Sequence, residues 1–455
     1  MMTLHDEASV APWRQRAGAL AALAFAACIA VGAPGPAAII VALALAITWP
    51  LLGTLLLVAV LPLTFLLRFE LAHRMVNPAA FLAASLAFVG IWPPRRLRAL
   101  DRRATAALGL LAFAYLLATL VSLVAHDDLD IGRASRELFR LLTAMCAYLS
   151  VARAIDTFRA ERALGWTFAL SATAAALYGL LQIAFFAAHI SVLPQWEHVA
   201  SYQQYFGGTP VLRAAGPLGE PGELAAYLTV ALGVSGWLYA RTKSSLALFL
   251  LSVQALTFVA TFSTSGWYGA VAAGAVLLWK RRPALLVAAA VGVVVVTTSA
   301  LTISPAARDI ALQVVFKPFD PNSGSLSEHA AHVRRAGDLF LENALFGIGP
   351  GLYPLHLRGD MKAQFPWLGD HTTIQNAYAE AVAEGGLLLV AGLAAVAFAV
   401  VRRLSEARGP GHSALVASAV TLLLVLTAAS NWKFEFYGVA LAFFLRAPLL
   451  CPETV

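Results

Sequence analysis

Charged residues are scarce in this sequence. Asp, Glu, Lys and Arg make up 13% of its 455 residues, whereas about a quarter of a typical soluble domain is charged. Hydrophobic residues make up 60%, and the mean hydropathy is +0.75. The apolar runs are continuous and do not alternate as the strands of a β-barrel do. We therefore exclude an ordinary soluble domain and predict an all-α polytopic membrane protein.

Cysteine is rarer still, with three in the chain. Cys28 and Cys146 lie in apolar runs and Cys451 lies near the C-terminus, so neither a disulfide framework nor a cysteine metal site is indicated. No small-residue cleavage site follows the first apolar core, and we expect that span to be retained. The net charge of +7 resides in short clusters between apolar runs. We attribute it to membrane topology and predict no nucleic-acid partner.

The apolar runs predict about 12 to 14 spans in one transmembrane domain, residues 1–455. With both termini in the cytoplasm, basic clusters fall inside, as the positive-inside rule requires. These clusters are residues 95–103, 153–162, 241–243, 280–282 and 402–408. Arg68 and Arg74 fall on the wrong side. Two longer polar segments then face outward: a shorter loop at 189–222 and a longer one at 304–375.

The longer loop is the first place to look for chemistry, because long connections in compact domains are uncommon and usually functional. Apolar residues recur at helical spacing over His329–Leu345, which predicts an amphipathic helix. The glycine-rich run Gly347–Gly351 would end it. This run lacks the Lys-Ser/Thr of a phosphate loop, and we do not interpret it as a nucleotide site.

Arginine on the outer side is the first chemical signal. Arg133, Arg136 and Arg140 are spaced to share one face of a helix that enters the membrane. Arginine at this depth is costly and often marks an anionic ligand such as pyrophosphate, which guanidinium groups bind in a bidentate manner. The alternatives are snorkelling to lipid headgroups or an ion pair with Glu137.

The shorter loop carries a second signal. Arg213 precedes a turn rich in Gly and Pro, and a helix is predicted to begin near Pro221. Such a helix N-terminus attracts anions. Glu220 and Glu223 are candidate general bases, although acidic residues also simply favour the first turn of a helix.

The longer loop groups His329, His332, Arg334 and Arg335. With Glu328 nearby, two histidines three apart allow a metal site, but no third ligand is clearly placed. An anion-binding or acid/base role for one Arg and one His is the stronger hypothesis, and a solvated polar face is its alternative. Aromatic residues in the outer loops, Trp367 among them, fit an interfacial belt or sugar stacking.

Four sequence blocks occur in a fixed order over about residues 200–400. They are Arg213-Ala-Ala-Gly216 with its Pro-containing turn; Thr261-Phe-Ser-Thr264-Ser-Gly-Trp267; Arg334/Arg335 followed by Asn343-Ala-Leu-Phe-Gly347-Ile-Gly349-Pro-Gly351; and Gln375-Asn376-Ala-Tyr378 followed by Glu384-Gly385-Gly386. Together they resemble the O-antigen ligase and O-antigen polymerase family of bacterial inner-membrane glycosyltransferases. In the second block, Thr264 stands where the family commonly has Arg.

The resemblance implies a GT-C-like helical bundle whose two outer loops face the periplasm. It implies inverting transfer of a glycan from undecaprenyl pyrophosphate, without a nucleotide sugar. We expect no metal or other cofactor. Arg213 and one of Arg334 and Arg335 would bind the pyrophosphate, with Arg136 and Arg140 in support. The acceptor would be another glycan or lipid A-core, and a chain-length regulator or flippase is a conceivable partner.

One departure from the family affects the choice of acceptor. Ligases that use lipid A-core have a His directly before the residue that opens the last helix of the pattern, and this chain has Gln375 there. Gln cannot act as a general base at neutral pH. His371 or Gln375 would then contact the acceptor hydroxyl, with Asn376, Tyr378 and Trp367 as further glycan contacts. This favours a polymerase over a ligase; a transporter is the rival from another class.

Overall fold

The structure of the protein, a computed structural model, describes residues 40, 41, 44, 48–63, 69–71, 74–76, 78–91, 102–125, 131–158, 160–191, 203–206, 209–281, 324–357, 361, 365, 374, 376–428 and 435–451. The chain is mostly helical over these ranges. Its α-helices are α1 (Pro50–Val60), α2 (Pro78–Ile91), α3 (Arg102–Ala125), α4 (Ile131–Phe158), α5 (Glu161–Ala187), α6 (Pro221–Thr242), α7 (Ser245–Ala260), α8 (Thr264–Arg281), α9 (Gly324–Glu342), α10 (Ala377–Glu406), α11 (His412–Val425), α12 (Glu435–Leu445) and α13 (Ala447–Leu450).

Two short antiparallel hairpins lie between helices. One pairs β1 (Phe69–Leu71) with β2 (Arg74–Val76), and the other pairs β3 (Gln203–Phe206) with β4 (Thr209–Leu212). The sequence analysis did not predict them. For the second hairpin, the Gly-Gly pair between its strands was an overlooked signal for a two-residue turn.

In the part of the chain that the structure describes, four helices are long and apolar enough to cross a membrane. They are Arg102–Val124, Ile131–Ile155, Glu161–Ala187 and Ala377–Glu406. Large side chains such as Phe113 and Phe398, 57% and 70% exposed, lie on the outside of these helices. Such apolar surface suits a lipid environment. The prediction of an all-α polytopic membrane protein is confirmed, and the count of 12 to 14 spans stays a prediction.

Small residues allow the helices to approach one another closely. A Cβ atom at Gly438 of α12 would overlap the carbonyl oxygen of Ala144 in α4. At Gly392 of α10 it would lie 2.8 Å from the Cα of Leu111 in α3. Close backbone approach of this kind replaces the hydrophobic driving force that helices lack within lipid. The resulting core includes fully buried Trp237.

The connections between helices define two ends of the bundle. The loop end holds the C-terminal ends of α3, α5, α7 and α11 and the N-terminal ends of α4, α6, α8, α10 and α12, together with α9. Contacts near these helix ends support this grouping, since Ala214 N donates to the carbonyl oxygen of Ala260 at the end of α7, and Tyr378 Oη of α10 donates to the carbonyl oxygen of Leu423 in α11. The opposite end carries most of the basic residues that the structure describes, which include Arg102, Arg103, Arg153, Arg162, Arg241, Lys243, Arg402, Arg403 and Arg408.

Candidate functional site

The run Gly347–Gly351 fastens the longer loop to α10. The backbone N–H groups of Ile348 and Gly349 donate to the carbonyls of Ala383 and Glu384 at 2.9 and 3.0 Å. In return, Leu387 N donates to Ala344 O at 2.8 Å. This exchange needs a break in α10, and Gly386 provides it with φ 59° and ψ −158°. The glycine run is a docking element, which agrees with rejecting it as a nucleotide site.

The same run also lies against α3 and α4. A Cβ atom at Gly349 would overlap the side chain of Ser122 near the end of α3. At Gly351 it would lie 3.0 Å from the Cγ of Glu137 and 3.5 Å from the carbonyl oxygen of Arg133. The docked loop therefore brings α9 to the part of the bundle where the α4 arginines begin.

Burial separates the two adjacent arginines of α9. Arg335 is 8% exposed and its Nε donates to the carbonyl oxygen of His356 at 2.9 Å, whereas Arg334 is exposed. The Nη1 of Arg335 lies 3.9 Å from Oε1 of Glu342 and has no hydrogen-bond acceptor among the described residues. Such a buried donor favours an anionic ligand. Of the pair that the sequence analysis left open, Arg335 is the stronger candidate.

His332 lies on the same face of α9 and is 1% exposed. Its Nδ1 lies 2.7 Å from the hydroxyl oxygen of Tyr353, and its Nε2 lies 3.8 Å from Oε1 of Glu328. Burial raises the pKa of the Tyr353 hydroxyl above its ordinary value; Arg335 opposes this shift and Glu384 adds to it. No sequence pattern singles out Tyr353 among the aromatic residues of the outer loops, because its partner is set by the turn after the glycine run.

Arg213 is half-buried beside the start of α6. Its Nε donates to the carbonyl oxygen of Thr261 at 3.0 Å, which ties the shorter loop to the α7–α8 connection. Gln182 holds the turn that follows: its Oε1 accepts from Gly216 N at 2.8 Å and its Nε2 donates to Gly216 O at 3.2 Å. Gly216 has φ +62°, and α6 begins at Pro221 as predicted. The sequence analysis missed Gln182, whose only signal was an amide within an apolar run.

The α4 arginines do not share one environment. The Nη1 of Arg140 lies 2.7 Å from Oε1 of Glu137, so the ion pair considered from the sequence is present. Arg136 is exposed, and Arg133 is half-buried. An ion pair does not prevent Arg140 from also meeting an anion, because a guanidinium has five N–H donors.

Asn376 caps α10. Its Oδ1 accepts from the backbone N–H groups of Tyr378 and Ala379 at 3.0 Å each, an arrangement that satisfies the first turn of a helix. Tyr378 is 39% exposed. The other predicted acceptor contacts, His371, Gln375 and Trp367, lie outside the described residues.

Buried carboxylates gather at the loop end, each in the first or second turn of a helix. They are Glu223 of α6, Glu380 and Glu384 of α10, and Glu435 of α12. Oε1 of Glu435 accepts from the hydroxyl of Thr143 at 3.1 Å. Placement near helix N-termini stabilises such carboxylates. Among the described residues, no three His, Cys, Asp or Glu side chains are grouped to hold a metal ion.

An apolar cavity of about 400 Å³ lies between α3, α4, α10, α11 and α12. Aliphatic side chains such as Leu108, Leu393 and Leu441 dominate its lining. Tyr378 marks its loop end, and Ser405 and His412 mark its other end. An aliphatic cavity of this kind does not hold ordered water. It suits an alkyl chain.

Part of the chain that forms this site matches a known protein family. Residues 246–394 match the family model described as O-antigen ligase. Over this stretch, the chain is similar to the O-antigen ligase family. No curated protein matches the chain. The family implies a glycosyltransferase-type enzyme, so the predicted resemblance is confirmed at that level.

The stretch that matches the O-antigen ligase family model runs from α7 into α10. It includes Thr261, Arg335, the Gly347–Gly351 run and Asn376, but not Arg213 or the α4 arginines. Arg213 nevertheless bonds to Thr261 inside it. At the loop end, the fold thus brings together residues inside and outside the stretch that matches the family model.

Proposed function

We propose that this protein is an inverting glycosyltransferase of the GT-C type in the bacterial inner membrane, with its loop end in the periplasm and both termini in the cytoplasm. It moves a glycan as one block from undecaprenyl pyrophosphate to the end of another glycan, and so acts as an O-antigen or exopolysaccharide polymerase. The family match supports glycan transfer of the O-antigen ligase and polymerase type.

The observation that carries the proposal is the anchoring of two arginines at the loop end. Arg213 and Arg335 each donate through Nε to a backbone carbonyl of a different segment. This contact fixes the plane of a guanidinium and directs its Nη groups elsewhere. Pyrophosphate gains negative charge as it leaves the sugar, and donors that are already oriented stabilise that charge without reorganisation.

The polyprenyl part of the donor would bind in the apolar cavity. Part of a polyprenyl chain would fill its volume of about 400 Å³ and contact the aliphatic lining. Burial of an alkyl chain contributes about 0.8 kcal/mol per CH₂ group. Tyr378 lies where the cavity approaches the loop end, so the chain would enter close to Asn376 and the predicted acceptor contacts.

The residues that we assign to the acceptor are proposed mainly from the sequence. We assign contact with the acceptor hydroxyl to His371 or Gln375, and glycan contacts to Asn376, Tyr378 and Trp367. The proposed transfer uses no metal or other cofactor. The second candidate function is ligation of the glycan to lipid A-core or to a protein, which the description of the matched family favours.

The experiment is deletion of the gene, followed by analysis of lipid-linked and cell-surface glycans. Loss of polymer, with single repeat units still reaching their final acceptor, is the result expected for a polymerase. Long polymer that accumulates on undecaprenyl pyrophosphate would identify a ligase. An unchanged glycan profile would overturn glycan transfer and favour a transporter.

Complementation with Arg213→Ala gives the residue-level test. We expect no transfer from this variant at wild-type protein abundance in the membrane. Full activity would remove Arg213 from the proposed pyrophosphate site.

A further inference from the structure

Two bonds join α9 to the turn Tyr353–His356, and both connect residues 21 apart in sequence. His332 Nδ1 meets the Tyr353 hydroxyl at 2.7 Å, and Arg335 Nε donates to the His356 carbonyl at 2.9 Å. His332 and Arg335 are three residues apart on α9, and therefore on one helical face. Their partners are three residues apart on the turn. We call these two hydrogen bonds the double tether, because both hold the same face of α9 against the turn.

The first bond of this tether is the more deeply buried. His332 and Tyr353 are each 1% exposed, and their rings lie 5.6 Å apart. A phenol keeps its proton at neutral pH, and burial raises the pKa of the Tyr353 hydroxyl further. Breaking the bond would leave two buried polar atoms without their partner, which costs about 1–3 kcal/mol each. The bond thus holds the turn against α9.

The second bond depends on the first, because the His356 carbonyl is carried by the turn that Tyr353 anchors. If the turn shifts, Arg335 Nε loses its acceptor, and Nη1 loses its direction. Glu342 would then compete for Arg335, since its exposed carboxylate already lies 3.9 Å from Nη1.

We propose that His332 and Tyr353 are positioning residues, which hold the Arg335 guanidinium in the orientation that receives the donor pyrophosphate. This inference rests on the proposed function. Tyr353 is too buried to reach an acceptor hydroxyl, so its role is to act through Arg335 and not on the substrate itself. The tether also explains why α9, a helix of a loop, presents one well-oriented arginine.

The test uses the full-length protein in lipid nanodiscs, with farnesyl pyrophosphate and inorganic pyrophosphate as probes of binding. Tyr353→Phe removes the hydroxyl and keeps the ring. We expect it to weaken binding of both probes about tenfold. Tyr227→Phe is the matched control, because Tyr227 is also fully buried, in α6 and away from the tether; its binding should equal wild type.

A second background shows whether the effect passes through Arg335. In Arg335→Lys, no Nε remains to bond His356, so adding Tyr353→Phe should weaken binding no further. His332→Asn, which retains an amide near the position of Nδ1, should bind within about twofold of wild type, whereas His332→Ala should match Tyr353→Phe. Thermal melting of each variant identifies loss of folded protein.

The outcomes are distinct. Unchanged binding in Tyr353→Phe, or an equal further loss in the Arg335→Lys background, would overturn the positioning role and leave the proposed function standing. Unchanged binding in Arg335→Ala would instead overturn the pyrophosphate site, and the inference with it.

Discussion

Arg402 and Arg403 at the opposite end of the bundle differ in their partners from Arg213 and Arg335 at the loop end. At the opposite end, Glu406 lies 2.8 Å from Arg402 and 2.6 Å from Arg403, in local pairs on one exposed helix face. At the loop end, Arg213 and Arg335 each bond a backbone carbonyl from a distant segment. An arginine in an exposed local ion pair contributes mainly its charge to the membrane topology. A hydrogen bond to a distant backbone carbonyl instead fixes the orientation of the guanidinium group. Direction is what a ligand site needs.

Arg446 sharpens this comparison. It is 6% exposed at the opposite end, and its Nε lies 3.4 Å from the carbonyl oxygen of Ala152 in α4. A buried guanidinium with a backbone acceptor is therefore not enough to define a site. The loop end adds the docked loop, the buried carboxylates and the end of the apolar cavity that Tyr378 lines.

The largest expected effect compares Arg335→Ala with Arg446→Ala. We expect Arg335→Ala to lower the rate of glycan transfer by about 10²–10³-fold, the usual loss when one transition-state donor is removed. Arg446→Ala should lower protein stability but keep the rate per folded molecule within about threefold. Transfer is measured in membranes normalised for protein amount. Equal losses of specific activity would erase the distinction between the two ends.

The next effect concerns stability at the docking run. Gly386→Ala places a side chain at φ 59° and ψ −158°, with its Cβ 2.6 Å from Ala344 O. This conformation is nearly exclusive to glycine, and we expect a loss of about 3 kcal/mol or more. Gly337→Ala in α9 is the control, because nothing lies within 4 Å of its Cβ; it should be neutral or stabilising. Thermal melting in detergent compares them, and similar melting temperatures would contradict the docking role.

A smaller effect distinguishes two buried glutamines. Gln182 holds Gly216 at the loop end, whereas Gln254 bonds Ser235 and Ala169 within the bundle. Each Ala variant should lose about 1–3 kcal/mol of stability. Only Gln182→Ala should also lower transfer per folded molecule, by about tenfold, because it frees the turn after Arg213. If Gln254→Ala lowers transfer per folded molecule as much, the hydrogen bonds of Gln182 to Gly216 have no special role in transfer.

The smallest effect lies on the exposed face of the opposite end. Glu406→Gln removes the partner of Arg402 and Arg403, whose side chains are 37% and 26% exposed. Exposed pairs contribute about 0–1 kcal/mol. We expect a change in melting temperature of at most a few degrees, with unchanged transfer. A clear loss of transfer would show that this end takes part in the reaction.

The sequence located α6 and α9 closely, since Pro221 begins the former and the predicted amphipathic helix His329–Leu345 overlaps Gly324–Glu342. Helical periodicity and helix-start signals depend on neighbours within one or two turns. The choice between Arg334 and Arg335 did not follow from sequence. Both lie in one helical turn, and only the packing of α9 against α10 determines which one is buried.

The amino-acid sequence by itself determined an all-α membrane protein, a division into basic and loop ends, and the resemblance to the O-antigen ligase family, because hydropathy, charge and short motifs are local properties of the chain. Only the tertiary structure decided that Arg335 bonds His356, that His332 meets Tyr353 and that Gln182 holds Gly216. These contacts join segments 21 to 34 residues apart. The geometry of these contacts depends on how the glycine run packs against the break in α10. No local sequence pattern predicts that packing.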